Sequence, residues 1–324
     1  MLSRRNLLKL VGAVPLVGLS NAALAAEPVR LATLASGTVA WEVDTIIKNG
    51  FDQKHGLALT MVPVAGKQSA DVMLAGGEAD VIVTDWIWVS RQRNAGADYT
   101  FLPYSRAVGS VLVKGDSPIK TLADLKGKKI GVAGGPTDKS WILFQALAKK
   151  DLNLNLATDA TPVFAAPPLL NEQLASGQID ALITFWQFAA KLRGIGARDI
   201  ATVADAAKSL GLDAETPLLG YVYSEKWSKA HGDVAQKLAA ASADAKALLA
   251  TSDAEWDRLR PMMKPADDAE FAALKAGFRA GIPQPGSVKP EAAAKVFGVL
   301  AQVGGAQLVG DKPELAAGTF AGSE

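Results

Sequence analysis

Short aliphatic runs alternate along this chain with longer stretches in which apolar positions recur every third or fourth residue. The first kind reads as buried strand and the second as amphipathic helix, because side chains repeat with period two along a strand and about 3.6 along a helix. Residues 29–34, 57–64 and 81–84 are predicted strands. Between them lie a helix from about Val39, which Gly56 closes in a left-handed cap, and a short helix over 70–74 that stops at Gly76 and Gly77. A further helix starts near Asp85. The order returns one hundred residues later, with strands at 129–133, 161–164 and 181–184. The accompanying helices run from Trp141 to Ala148, from Pro167 and Pro168 to Gly177, and onward from Phe185 and Trp186. Such alternation predicts an α/β fold of mostly parallel sheets flanked by helices.

The recurrence extends to individual residues. LAGGEADVIVTDW at 74–86 and LASGQIDALITFW at 174–186 share Leu, Ala, Gly, Asp, Thr and Trp at matching places, and Trp41 and Trp141 also correspond. We read this as two lobes of like topology. Ligands of open α/β sheets bind outside the carboxyl ends of the strands. Trp41, Trp86, Trp141 and Trp186 are expected there, so two facing lobes would present paired aromatic walls. Trp88 points elsewhere on its helix and is expected in the core.

A different pattern sets residues 1–25 apart. Arg4, Arg5 and Lys9 precede or adjoin an apolar run over 7–19, and Ala23 and Ala25 flank Leu24, the form of an export signal cleaved near Ala25. Ser3, Arg4, Arg5, Leu7, Leu8 and Lys9 resemble the twin-arginine motif; a general secretory signal is the alternative. Either route leads out of the cytoplasm, and the periplasm is the expected location. Loss of Arg4, Arg5 and Lys9 takes the formal charge from +1 to −2, leaving no electrostatic footprint for nucleic acid or anionic lipid. The length of 324 residues suits about two domains, and 49% hydrophobic against 21% charged residues supplies a large core. No later apolar stretch is expected to span a bilayer, so the mature chain is expected as a monomer outside the membrane. The absence of cysteine excludes disulfides, thiol nucleophiles, thiolate metal sites and a lipid-anchored cysteine.

Between the halves, GDSPIKTLADLKGKKIGV at 115–132 places Thr121 as the cap of a one-turn helix, Gly127 as its end, and Lys128 and Lys129 ahead of a buried strand. This stretch resembles the start of the second lobe in type II periplasmic substrate-binding proteins. It is most similar to the NMT1-like branch serving ABC importers of nitrate, taurine, aliphatic sulfonates and thiamine pyrimidine precursors. Gly77 to Asp80 and residues 171–180 match the same pattern, and the likeness covers about 29–229. It implies a venus-flytrap fold whose chain crosses a hinge near 108–115 and again near 217–224. Lobe 1 would comprise 26–112 with 218–324, and lobe 2 would comprise 113–217. The tail would add helices at 228–251, 254–260, 266–280 and 290–303, packed on lobe 1. The resemblance further implies that a small organic ligand closes the lobes and that the closed form engages a membrane permease with an ATP-hydrolysing subunit. A periplasmic sensor showing its closed form to a receptor is the alternative.

Ser36, Gly37 and Thr38 in one half, and Gly135, Thr137, Asp138 and Lys139 in the other, stand at helix N-termini, where free N–H groups and the dipole favour an anion. The resemblance implies that these loops hold the ligand's acidic group. Ordinary capping by Thr38, Asp85 and Asp138 is the competing explanation. Tyr104 and Arg106 are expected over the cleft floor, where the arginine could pair a carboxylate or sulfonate, or tie the hinge. Phe185 and Trp186 complete the candidate set. Aromatic faces favour an organic ligand, such as a sulfonate, a pyrimidine or another heterocycle. Asp85 and Asp138 leave its charge open.

Catalytic material is scarce. His55 and His231 are the only histidines, and no nucleophile elbow, Walker loop, HExxH or dinucleotide fingerprint occurs. A binder without cofactor or metal is expected rather than an enzyme; a hydrolase using Asp85 with Asp138 is the remaining catalytic alternative.

Overall fold

The computed structural model describes residues 26–34, 37–213, 216–284, 286 and 288–322. The expected export signal and Ser36 lie outside the described residues. The strands are β1 (Glu27–Leu34), β2 (Leu57–Val64), β3 (Val81–Asp85), β4 (Tyr99–Ser105), β5 (Ser110–Val113), β6 (Lys129–Ala133), β7 (Thr161–Ala165), β8 (Ala181–Thr184), β9 (Arg198–Thr202) and β10 (Leu219–Ser224). They form two five-stranded sheets, ordered β2-β1-β3-β10-β4 and β7-β6-β8-β5-β9. In each, the first three strands run parallel and the fourth is antiparallel to both neighbours. The fourth strand is the one contributed across the hinge: β5 follows β4 into the second sheet, and β10 returns to the first. The first crossing thus occupies 106–109, slightly ahead of the expected 108–115, because Ser110 already pairs with Thr184. The result is a two-lobed α/β fold.

The helices are α1 (Val39–Lys48), α2 (Phe51–Lys54), α3 (Lys67–Ala75), α4 (Trp86–Asn94), α5 (Lys139–Leu152), α6 (Leu156–Asp159), α7 (Pro167–Ala175), α8 (Trp186–Gly194), α9 (Val203–Ser209), α10 (Glu225–Ala230), α11 (Val234–Thr251), α12 (Asp253–Met263), α13 (Asp268–Gly281) and α14 (Pro290–Val309). The expected helix from Val39 to Gly56 is two helices, since Gly50 sits at φ +67° and turns the chain between α1 and α2. Likewise Gly232, at φ +72°, separates α10 from α11.

The repeated motif has a structural explanation. Gly77 and Gly177 take left-handed backbone at φ +72° and +76°, ending α3 and α7 with matching bonds from Glu78 N–H to the Met73 carbonyl and from Gln178 N–H to the Gln173 carbonyl, both 2.8 Å. The aspartate three residues on then locks the register of the neighbouring strand. Asp80 accepts from Arg30 N–H, and Asp180 from Lys129 N–H, each at 2.8 Å. Sheets are thereby tied at the same place in both lobes.

The tail does more than cover lobe 1. Helices α11 and α12 pack on α1, whereas α13 packs on α8 and α14 on α5, both helices of the second lobe. α14 corrects one expectation: with Glu291 and Lys295 as its charges it is the one helix among the described residues long and apolar enough to cross a membrane. Here it lies folded against α5 and α4, with Gly305 (φ 59°) breaking its helical backbone.

Candidate functional site

Strand ends and helix starts converge where the sheets face each other. Asp85, the last residue of β3, accepts from Trp88 N–H at 2.8 Å and caps α4. Asp138 accepts from Trp141 N–H at 3.1 Å and caps α5. Both candidate carboxylates therefore act as helix caps. Thr38, at the N-cap of α1, makes no capping bond, so the same explanation does not extend to it.

The two lobes meet through an ion pair. Lys139 Nζ on α5 lies 2.7 Å from the Asp85 carboxylate, with only 22% and 6% of the two side chains exposed. Burial acts to raise the Asp85 carboxyl, but Lys139, Lys67 and the capping N–H outweigh it and hold it below the usual carboxylate range. Burial likewise opposes the Lys139 charge, and Asp85 overcomes it, raising the ammonium above its ordinary value. Among the described residues Asp138 has no such ion-pair partner at contact distance. Burial, with a smaller contribution from the Asp85 charge, pushes it up to about 6 despite the Trp141 N–H.

Gly134 and Gly135 supply consecutive left-handed residues at φ +87° and +86°, bringing the loop before α5 back so that Asp138 N–H reaches the Gly135 carbonyl at 3.0 Å. A Cβ at Gly134 would lie 2.8 Å from the Asp138 carboxylate, so a side chain there would displace the cap. Thr137 is half-buried in the same loop, and Gly37 is buried, donating to the Leu34 carbonyl at 2.9 Å.

The tryptophans do not form the expected open walls. Trp41, Trp86 and Trp141 are 5%, 0% and 2% exposed. Trp86 is covered by Phe297 of α14 and by Phe320, at ring separations of 6.4 and 5.7 Å, because the tail folds over α4. Trp141 packs edge-on against Phe164. Trp41 meets Trp256 and Phe278 of the tail and, across the lobes, the edge of Trp186 at 6.1 Å. Trp186 is half-buried and lies against Gly277 of α13, where an added Cβ would come within 2.7 Å of the indole. Phe185 is half-buried beside the second-lobe core. The equivalent Trp86 and Trp186 thus have different environments, and the difference comes from the tail.

Arg106 ties the first crossing to the end of α13: its N–H donates to the Gly281 carbonyl at 2.8 Å and its guanidinium to the Ala280 carbonyl at 3.2 Å. With Trp86, Val108 and Leu143 it lines an interlobe void of about 30 Å³. Tyr104 is 2% exposed; burial, then the Glu42 charge, pushes its hydroxyl well above the usual tyrosine range.

Glu42 heads a polar cluster that sequence reasoning missed. Tyr221, Ser242 and Lys246 all donate to its Oε1, at 2.7, 2.6 and 2.7 Å, and the Lys246 ammonium also stands 4.8 Å from the centre of the Tyr104 ring. The available signal was Glu42 itself, one turn from Val39 and Ile46 on the apolar face of α1. Beside Lys246 and Ser242, between β4 and α11, lies a cavity of about 600 Å³ whose walls include Phe101, Leu102, Pro103 and Phe320. The histidines stand apart from both regions: His55 pairs with Asp244 at 2.7 Å and His231 stacks on Trp227.

The profile described as NMT1/THI5 like matches residues 46–254, well over half of the chain. The chain belongs to the NMT1/THI5-like family. Solved structures support the fold of this NMT1/THI5-like protein. The alkanesulfonate-binding protein SsuA from Xanthomonas axonopodis pv. citri, bound to MOPS, superposes with a TM-score of 0.69 at 22% identity, over 91% of this chain and 98% of that one. The periplasmic aliphatic sulphonate binding protein SsuA from Escherichia coli gives 0.71 at 19% identity, over 91% and 93%. The desulfurization enzyme DSZB gives 0.60 at 17% identity, over 90% and 97%. A comparison with the curated proteins found no match. In the NMT1/THI5-like chain two contacts between candidate residues join the lobes, Asp85 with Lys139, beside Asp138, and Trp41 with Trp186; Arg106 and Trp86 line the interlobe void.

Proposed function

We propose that this protein is an extracytoplasmic solute-binding protein that captures a small organic anion between its lobes and delivers it to an ABC importer. The observation carrying the proposal is the pair of like sheets that exchange one strand each and face one another through side chains of opposite lobes, Asp85 with Lys139 and Trp41 with Trp186. Two crossings make a hinge, and a ligand that touches both lobes favours closure by its differential affinity for that state. The α1 and α5 N-termini, and Lys139 once it leaves Asp85, would supply positive potential, and the half-buried Trp186 an apolar surface. The sulfonate ligands named for both SsuA proteins suit this combination, and the export signal read in residues 1–25 supports a periplasmic location.

Binding is preferred over catalysis because Asp85 and Asp138 are both engaged as helix caps, and Asp85 is also paired with Lys139. The test is calorimetric titration of the purified chain with MOPS and short alkanesulfonates, with the ligand recovered afterwards and analysed by mass spectrometry. Saturable binding with unaltered ligand is the expected outcome. Conversion of a sulfonate without a stable complex would overturn the binder in favour of an enzyme; the fold neighbour DSZB is a desulfurization enzyme.

A further inference from the structure

Lys139 is supplied by the second lobe, yet its charge partner belongs to the first. The two members of the pair are unequally dependent on it. When the lobes part, Asp85 keeps the Trp88 N–H and the nearby positive charge of Lys67. Lys139 loses its contact partner, and Asp138 beside it in sequence is already engaged as the α5 cap.

We propose that the Asp85–Lys139 pair is an interlobe latch that holds the chain closed before a solute arrives, so that solute enters only after the pair breaks and then meets the released Lys139 ammonium. Removing one partner of a dehydrated ion pair leaves the other charge buried without compensation, which penalises the closed state. In the intact chain opening returns both groups to water, which offsets much of the attraction lost, so the latch biases the equilibrium without freezing it. Lys191 with Glu270, 2.9 Å apart between α8 and α13, and the Trp41–Trp186 edge contact keep the lobes aligned beside it. The inference rests on the proposed function only for the place where the solute sits; closure through this pair belongs to the chain alone.

The absence of cysteine makes the experiment direct. Val72→Cys on α3 and Leu169→Cys on α7, 71% and 48% exposed, place fluorophores on opposite lobes. Energy transfer is then measured on the unliganded full chain. Lys139→Met and Asp85→Asn should each lower transfer, with the closed-to-open ratio falling about tenfold or more; asparagine at 85 retains an oxygen to cap α4. The double variant should be no more open than Lys139→Met, as expected for two residues acting through one contact. Arg30→Gln, which breaks the Arg30–Asp80 pair inside the first lobe, should leave transfer unchanged. Wild-type transfer in both single variants, or additive opening in the double, would overturn the latch. If one single variant loses its folded circular dichroism spectrum, the other decides. Because no ligand is added, loss of the latch with intact sulfonate binding leaves the proposed function standing, and the reverse result leaves the latch standing.

Discussion

Asp138 shows how one side chain can carry opposing demands. Its carboxylate caps α5 beside Lys139, which favours the charged form, while burial and the nearby Asp85 charge disfavour it. Burial prevails and pushes the group from 3.8 to about 6. The folded state therefore holds this proton more tightly than the unfolded chain does. The associated stability is complete below about pH 4 and is lost as the pH rises through 6. Asp138→Asn keeps an oxygen for the cap and removes the titration. Relative to wild type it should gain about 1–3 kcal/mol at pH 8 compared with pH 4, read from urea unfolding at the two values. That an aspartate stands before α5 was legible in the sequence, and so was its capping alternative. The partner that distinguishes Asp85 from Asp138 was not, because Lys139 reaches Asp85 only when two segments more than fifty residues apart are brought together.

At the scale of elements, the repeated glycine turn and aspartate were visible as a pattern, with its tryptophans read at the ligand-binding ends and no role read for the repeated aspartates. The structure assigns the aspartates to the opposite ends of their strands, where each ties the backbone of the adjacent one. Asp180→Ala should therefore destabilise the second lobe by about 1–2 kcal/mol without altering ligand affinity. Asp80→Ala should lose somewhat more, since Asp80 also accepts from the Arg30 guanidinium at 2.6 and 3.0 Å. Thermal melts with and without a bound sulfonate separate the two quantities. Helices and strands with strong periodicity fell where expected. The splits at Gly50 and Gly232 did not, because a single glycine in a helical stretch is compatible with either outcome until the backbone beyond it has somewhere to pack.

At the scale of the whole molecule, the two matching tryptophans separate by environment. Trp86 is enclosed by α14 and Phe320, so Trp86→Ala should open a cavity costing about 3–5 kcal/mol and lower the thermal midpoint. Trp186 is half-buried between α13 and Trp41, so Trp186→Ala should cost less stability but widen the unliganded chain in small-angle X-ray scattering. An equal loss of stability in the two variants would contradict this division.

The sequence by itself determined the α/β class, the doubled strand and helix order, the capping alternative at Asp85 and Asp138 and the family resemblance, because each depends on residues close together along the chain. Only the tertiary structure decided which aromatic rings face the gap and which charges meet across it. The tail helices α13 and α14 start some two hundred residues after α1 and α4, yet they determine the burial of Trp41 and Trp86. Periodicity records which face of an element is apolar, while the element that will cover that face is chosen by packing.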